Sequence, residues 1–284
     1  MKLSLTRVAI TLAVLVFATS GCGLVNRVRA KNELNEAARS YREGHFEEAE
    51  QHSRRALELD PENKTALAFI ARTIHAQYKA GIQTPENVAK ANAAIQAYQR
   101  ILEKDPKNDE AYKAIAYLYG ATKEDEKLRQ WIAARANDST VDPPKRAEAY
   151  IVMASKDWDC SFKITELPTN KSTTIGEGNR ATVSYKKPKE QKDFDTARAC
   201  VKRGLEEIEN AIKLDPSSES AWSYKTNLLL EAIKIAEMES KMDQKHELDK
   251  QREVAQKQTN ALSEANQKKK EQEEAKKTAA PAKG

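Results

Sequence analysis

The sequence predicts an all-α protein built from repeated helical hairpins, with a small β-hairpin-like insertion and a polar C-terminal segment. Three observations carry that expectation. Helix breakers are scarce, 9 Gly and 9 Pro in 284 residues, while Ala, Glu, Lys, Gln and Leu abound. Asp60-Pro61, Asp105-Pro106 and Asp215-Pro216 each end an amphipathic stretch, where proline stops one helix and the polar residues after it can cap the next. A mean hydropathy of −0.76 with 32% charged residues is low for a compact globule and implies a thin, surface-rich stack, a disordered tail, or both.

At the N-terminus, Lys2 and Arg7 flank the start of an apolar run over residues 8–18, broken only by Thr11. That run is too short to span a bilayer and suits the h-region of a signal peptide. Thr19-Ser20-Gly21-Cys22 follows at once and resembles the bacterial lipobox, in which small residues precede a Cys that is acylated on its sulfur. The resemblance implies a lipoprotein signal peptide over 1–21, lipidation of Cys22 with palmitate-type chains, and a short tether over 22–29. Thr19 stands where that family usually carries Leu. Ala18-Thr19-Ser20 also satisfies the small-x-small rule, which leaves ordinary cleavage after Ser20 as the alternative. Both readings imply export. Gly23 in place of Asp after the Cys leans, by the same resemblance, toward the outer membrane facing the periplasm. Without the lipid the chain is expected to be soluble in the periplasm or secreted.

The first hairpin is read from Ala37 and Tyr41, then Gly44 for a tight turn, then Ala49 and Ala56, small residues that let the two helices approach. Over residues 30–63 this pattern resembles a tetratricopeptide repeat, a helix-turn-helix unit of ~34 residues with a terminal Pro. In the same frame Ile70, Ala71 and Ile74 fit the first helix of a second unit, with Ala94, Tyr98 and Ile101 on its second helix. Pro61 to Pro106 spans about 11 residues more than one period, and the excess is placed in the breaker-rich stretch 81–85.

The third unit carries Tyr112, Ile115, Ala116 and Tyr119, then Leu128 and Ile132, before Pro143-Pro144, with Lys123 where a turn Gly would stand. The fourth is split: residues 147–154 make its first helix, and Gly204, Ile208 and Ala211 mark its second. Between them, 158–194 reads as an excursion, because 161–167 and 181–185 alternate with period two around Gly176 and Gly178, as a β-hairpin would. A fifth first helix begins at Ala221-Trp222. The resemblance implies a right-handed superhelical solenoid over 30–238, about four and a half units long, since one helix pair cannot bury its own apolar face. Residues 239–284 lack aromatics and are rich in Lys, Glu and Gln, which predicts either a solvated helix or disorder. Leu248, Val254 and Leu262 hold no sustained coiled-coil repeat.

The function classes narrow accordingly. A net charge of +5, spread along the chain, provides no concentrated field for nucleic acid. The four histidines lack zinc-enzyme spacing, no phosphate-binding Gly loop or nucleophile elbow occurs, and neither a catalytic site, a metal nor a cofactor is expected. With Cys22 taken by lipid, Cys160 and Cys200 form an even pair at the edges of the excursion, either bridged in an oxidising compartment or left as two buried thiols. In the family frame a concave groove would be lined by Leu34, Ala38 and Tyr41, then Ala68, Arg72 and His75, then Lys113 and Tyr117. Leu34 and Ala38 depart from the Lys/Asn pairs of the chaperone-tail carboxylate clamp, so that ligand is not expected. The resemblance implies a membrane-tethered scaffold in the bacterial cell envelope, holding a protein or peptide. Alternatives are an assembly factor for outer-membrane proteins or pilus secretins, and a cell-wall-associated spacer acting through the tail. The oligomeric state is not legible.

Overall fold

The computed structural model describes residues 5–176 and 181–279, with side chains described for 23–176 and 181–276. The chain divides into two compact units, Met1–Leu128 and Arg129–Gly284. Among the described residues there are ten α-helices and one two-stranded sheet.

The first unit holds α1 (Leu5–Arg42), α2 (Phe46–Leu59), α3 (Lys64–Gln77), α4 (Pro85–Lys104), α5 (Asp109–Ala121) and the start of α6 (Asp125–Asn137). Its interior is lined by alanines: Ala37, Ala49, Ala56, Ala66 and Ala71 are all fully buried, where larger side chains would hold the helices apart. Helix α1 runs straight through residues 22–29, and its packed face begins at Ala30, which clusters with Ala56 and Ala66 against Leu34, Leu57 and Leu59.

The excess length of the second repeat is shared between the loop after α3 and a longer α4. Asn87 organises that loop. Its side-chain amide donates to the carbonyls of Lys79 and Ile82, each at 2.7 Å, and its Oδ1 accepts from the Lys79 N–H at 2.9 Å.

The second unit holds the rest of α6, then α7 (Pro143–Thr165), strands β1 (Lys171–Ile175) and β2 (Ala181–Tyr185), α8 (Gln191–Leu214), α9 (Glu219–Met238) and α10 (Met242–Ala279). Helices α7, α8 and α9 converge at Gly204, where a Cβ would lie 2.6 Å from Leu228 Cδ2 and 3.2 Å from Asp157 Cβ. Cys160 of α7 and Cys200 of α8 are joined in a disulfide, with Cα atoms 6.2 Å apart.

The repeats recur as backbone chemistry. At each Asp-Pro junction the Asp N–H returns to the helix just ended (Asp60 to Ala56, Asp105 to Ile101, Asp215 to Ala211), and the Asp carbonyl accepts from the next N-cap. Those caps are Asn63, Asn108 and Ser218, whose side chains accept from the N–H groups of Ala66, Ala111 and Ala221. The turns after α1, α5 and α9 also match. Gly44, Lys123 and Ser240 sit at φ of 82°, 60° and 57°, and the next residue's N–H bonds back five residues, to Ser40, Tyr119 and Ala236. Lys123 thus adopts the left-handed turn conformation at some steric cost.

Two expectations change. Residues 161–165 are helical: the sheet pairs 171–175 with 181–185, antiparallel, with Thr173 opposite Val183. Ser161 and Thr165 are one helical turn apart, and their common face is fully buried. That four-residue spacing outweighs the apparent two-residue alternation. The tail 239–284 is not free along its first half either. Leu248 packs on the cluster containing Ile235 and Met238, Ala255 is fully buried, and Asn266 donates to Glu219 at 2.9 Å near the start of α9. A narrow stripe of small and aliphatic residues is enough there because α9 supplies the large apolar partners. From residue 263 to Lys276 every side chain is exposed.

Candidate binding groove

Helices α1, α3 and α5 of the first unit each present one stripe spaced by three and four residues: Leu34, Ala38, Tyr41; Ala68, Arg72, His75; Lys113, Tyr117. The structure treats them differently. Leu34 is drawn into the core cluster, and Ala38 and Ala68 are half-buried. Ala68 and Arg72 line a small cavity with Leu67, Tyr98, Ile101 and Glu110. Lys113 is exposed and pairs with Asp109 one turn earlier on its own helix, at 3.1 Å.

The rest converge. Arg72 makes a bidentate pair with Glu110, Nε to Oε1 at 2.9 Å and Nη2 to Oε2 at 2.8 Å. His75 Nδ1 lies 3.2 Å from the Tyr98 hydroxyl, and its ring is 5.8 Å from Tyr98 and 5.6 Å from Tyr117. Tyr41 stands edge-on to Phe46 at 5.3 Å. Tyr117 is 53% exposed and Tyr41 36%, so aromatic faces remain open to a ligand.

The electrostatics follow from this geometry. Burial, reinforced by the Glu110 charge, pushes the Tyr98 hydroxyl up to about 12 and outweighs Arg72. Burial pulls His75 below its ordinary value, which favours the neutral imidazole. The Arg72 hydrogen bond holds Glu110 below the usual carboxylate range. The surface therefore offers neutral aromatic and imidazole faces beside one compensated ion pair. Tyr98 and Glu110 were not legible as members of this site. Tyr98 reads as a core position of a second helix, and Glu110 as an ordinary first-turn acid beside the Asn108 cap.

The second unit carries two polar clusters that hydrophobic patterning does not reveal. In one, Arg129 donates to Glu207 at 2.6 Å and reaches Asp157 at 3.3 Å, while Arg203 donates to Asp157 at 2.8 Å and lies 3.1 Å from Cys200 Sγ. Burial, against the pull of Arg129 and with Asp157 adding to it, raises Glu207 to about 7. In the other, buried Glu231 accepts from Ser161, Thr165 and Lys234, and Lys234 also pairs with Glu166 beneath the β-hairpin. Tyr185 and Lys171 join Glu166 there, which anchors the base of the hairpin. Cys22 belongs to α1 by its backbone, and its side chain lies outside the described residues.

These hairpins, junctions and turns give the chain a tetratricopeptide-like helical-repeat fold. A model of the protein prenyltransferase alpha subunit repeat matches residues 201–232, the end of α8, the Asp-Pro junction and the first part of α9. No curated protein matches the chain. Among solved structures, a MamA RS-1 double mutant is 14% identical, with 84% of this chain and 96% of that chain covered at a TM-score of 0.39. MamA from Desulfovibrio magneticus RS-1 is 14% identical, covering 78% and 94% at a TM-score of 0.35. Pseudomonas aeruginosa PilF is 14% identical, covering 80% and 91% at a TM-score of 0.34. The fold assignment rests on the hairpin and junction geometry, not on these overlaps.

Proposed function

We propose that the chain is a non-enzymatic scaffold that holds a protein segment in the groove of its first unit, tethered to a bacterial envelope membrane through lipid on Cys22. The carrying observation is that His75 and Tyr117 stack beside the Arg72–Glu110 pair, with Tyr41 close enough to Arg72 to act on its charge, so that three separate helices contribute to one partly open surface. Aromatic rings with few rotatable bonds beside an Arg are the groups that dominate protein recognition. The Cys160–Cys200 bridge supports an oxidising compartment, as an exported protein would meet. The spacer reading is narrowed to the exposed end of α10, because the first half of that helix is part of the fold.

Photocrosslinkers placed at Tyr41 and Tyr117 are expected to capture a discrete partner in envelope fractions. Tyr41→Glu with Tyr117→Glu should abolish capture from a neighbouring groove position without loss of helicity. Crosslinking confined to residues beyond 262, unaffected by those substitutions, would move the function to the tail. The tether is tested separately: a diacylglycerol mass on an N-terminal Cys22 is expected, and a mature chain starting at Gly21 would reject it.

A further inference from the structure

Leu24, Val25 and Val28 are 69%, 49% and 57% exposed, three large apolar side chains within five residues of α1. At ~100° per residue they fall within one arc of about 100°. That arc faces roughly opposite to Ala30, where the buried face of the helix begins. The exposed apolar strip therefore plays no part in the repeat core. Arg29 flanks it on one side, and Arg27 and Lys31 on the other; all three are exposed, and no acidic residue occurs from Gly23 to Asn32. An apolar strip between cationic flanks is complementary to a bilayer surface, with acyl chains below and anionic headgroups at the rim.

We infer that residues 24–31 form an interfacial membrane-contact face that lies in the headgroup region of an anionic bilayer. The inference rests on the tethered reading for its setting in the cell. An acylated Cys22 would sit within about one helical turn of Leu24 and Val25 and deliver the strip to the surface. A single weak contact would then become a second membrane signal next to the first. It would also hold the start of the first unit against the bilayer, leaving the groove helices at a fixed distance from it.

The test uses the chain beginning at Gly23, which lacks the Cys22 thiol. It retains the whole described packed face of α1, which begins at Ala30, and circular dichroism matching that of the longer chain checks that the fold is kept. Flotation with vesicles of phosphatidylcholine alone, or mixed with phosphatidylglycerol, reads binding without any lipid anchor. Binding to the anionic vesicles is expected, weakened by raised salt. Leu24→Asp with Val28→Asp should reduce it at least ~10-fold, and Arg27→Gln with Arg29→Gln should remove the preference for anionic lipid. Both variants should keep the parent's circular dichroism. No vesicle binding, or binding that survives the Leu24→Asp/Val28→Asp change, overturns the inference. So does a solution dimer that this change dissociates in the absence of vesicle binding, because the strip would then face a second copy. Lipid on Cys22 without vesicle binding by the Gly23 chain keeps the tether and rejects the face. Vesicle binding without lipid does the reverse.

Discussion

Among the described residues the first unit buries no charged side chain and joins its helices by turns of at most seven residues, whereas the second buries the charged Asp157 and Glu231 and carries a disulfide. The contrast follows from the connections. In the first unit, the Gly44 turn and the Asn63 and Asn108 caps fix each helix relative to the next through local hydrogen bonds. In the second, α7 ends at Thr165 and α8 starts at Gln191, so the connection is too long to fix how the two helices register. The Cys160–Cys200 bridge and the networks around Glu207 and Glu231 do that instead. Where turns are short, local hydrogen bonds suffice. Where an insertion separates paired helices, covalent and polar cross-links take over.

The largest expected effect breaks that contrast at Glu231. Glu231→Ala would strip Lys234 of one partner and leave the buried Ser161 and Thr165 hydroxyls unpaired, at a cost of about 3–5 kcal/mol. Arg72→Ala removes an exposed pair in the first unit and should shift stability by no more than about 1 kcal/mol. Urea unfolding of the two variants measures the difference directly. Equal shifts would mean that the second unit does not depend on its buried ions.

Opening the disulfide comes next. Cys160→Ser with Cys200→Ser releases a closure of 40 residues and should cost the second unit about 2–4 kcal/mol. Limited proteolysis should then open the second unit first and leave the first unit's cleavage pattern unchanged.

The two polar clusters should also respond to pH with opposite signs. Glu207 is raised from 4.5 to about 7, so its contribution is complete below 4.5 and is lost as pH rises through about 7. Glu166 is held down to about 2, chiefly by Lys171 and then Lys234, so its contribution is present above 4.5 and is lost as pH falls toward 2. Glu207→Gln should therefore flatten the stability decline between pH 5 and 8, leaving it on the order of 1–3 kcal/mol more stable than the parent at the upper end. Glu166→Gln should leave that limb unchanged and flatten the acid limb. Melting curves across pH distinguish the two.

The smallest effects sharpen the repeat equivalence of the turns. Lys123→Gly and Ser240→Gly should each stabilise by up to about 1 kcal/mol, because glycine adopts the left-handed turn freely, and Gly44→Ala should destabilise by a similar amount. A loss on Lys123→Gly would mean that its side chain matters more than its backbone.

Much of the architecture was legible because it is written locally. Proline, glycine and capping residues act on their own backbone neighbours, so the Asp-Pro junctions, the Gly44 turn and the helices they delimit could be read from residue order alone. The small-residue stripes of the first unit and the second strand, 181–185, were readable for the same reason. The first strand was misplaced because Ser161 and Thr165 look alternating until Glu231, far along the chain, accepts from both. The role of the first half of α10 was equally hidden: Leu248 and Ala255 are unremarkable until α9 lies beneath them. In the groove, the sequence placed Tyr41, Arg72, His75 and Tyr117 on the first helices but could not supply Tyr98 or Glu110, or turn Leu34 inward. Local hydrogen bonding determines where helices begin and end, and the sequence holds that outright. Which side chains pair across helices depends on distances set only when the helices pack, and those the tertiary structure alone decided.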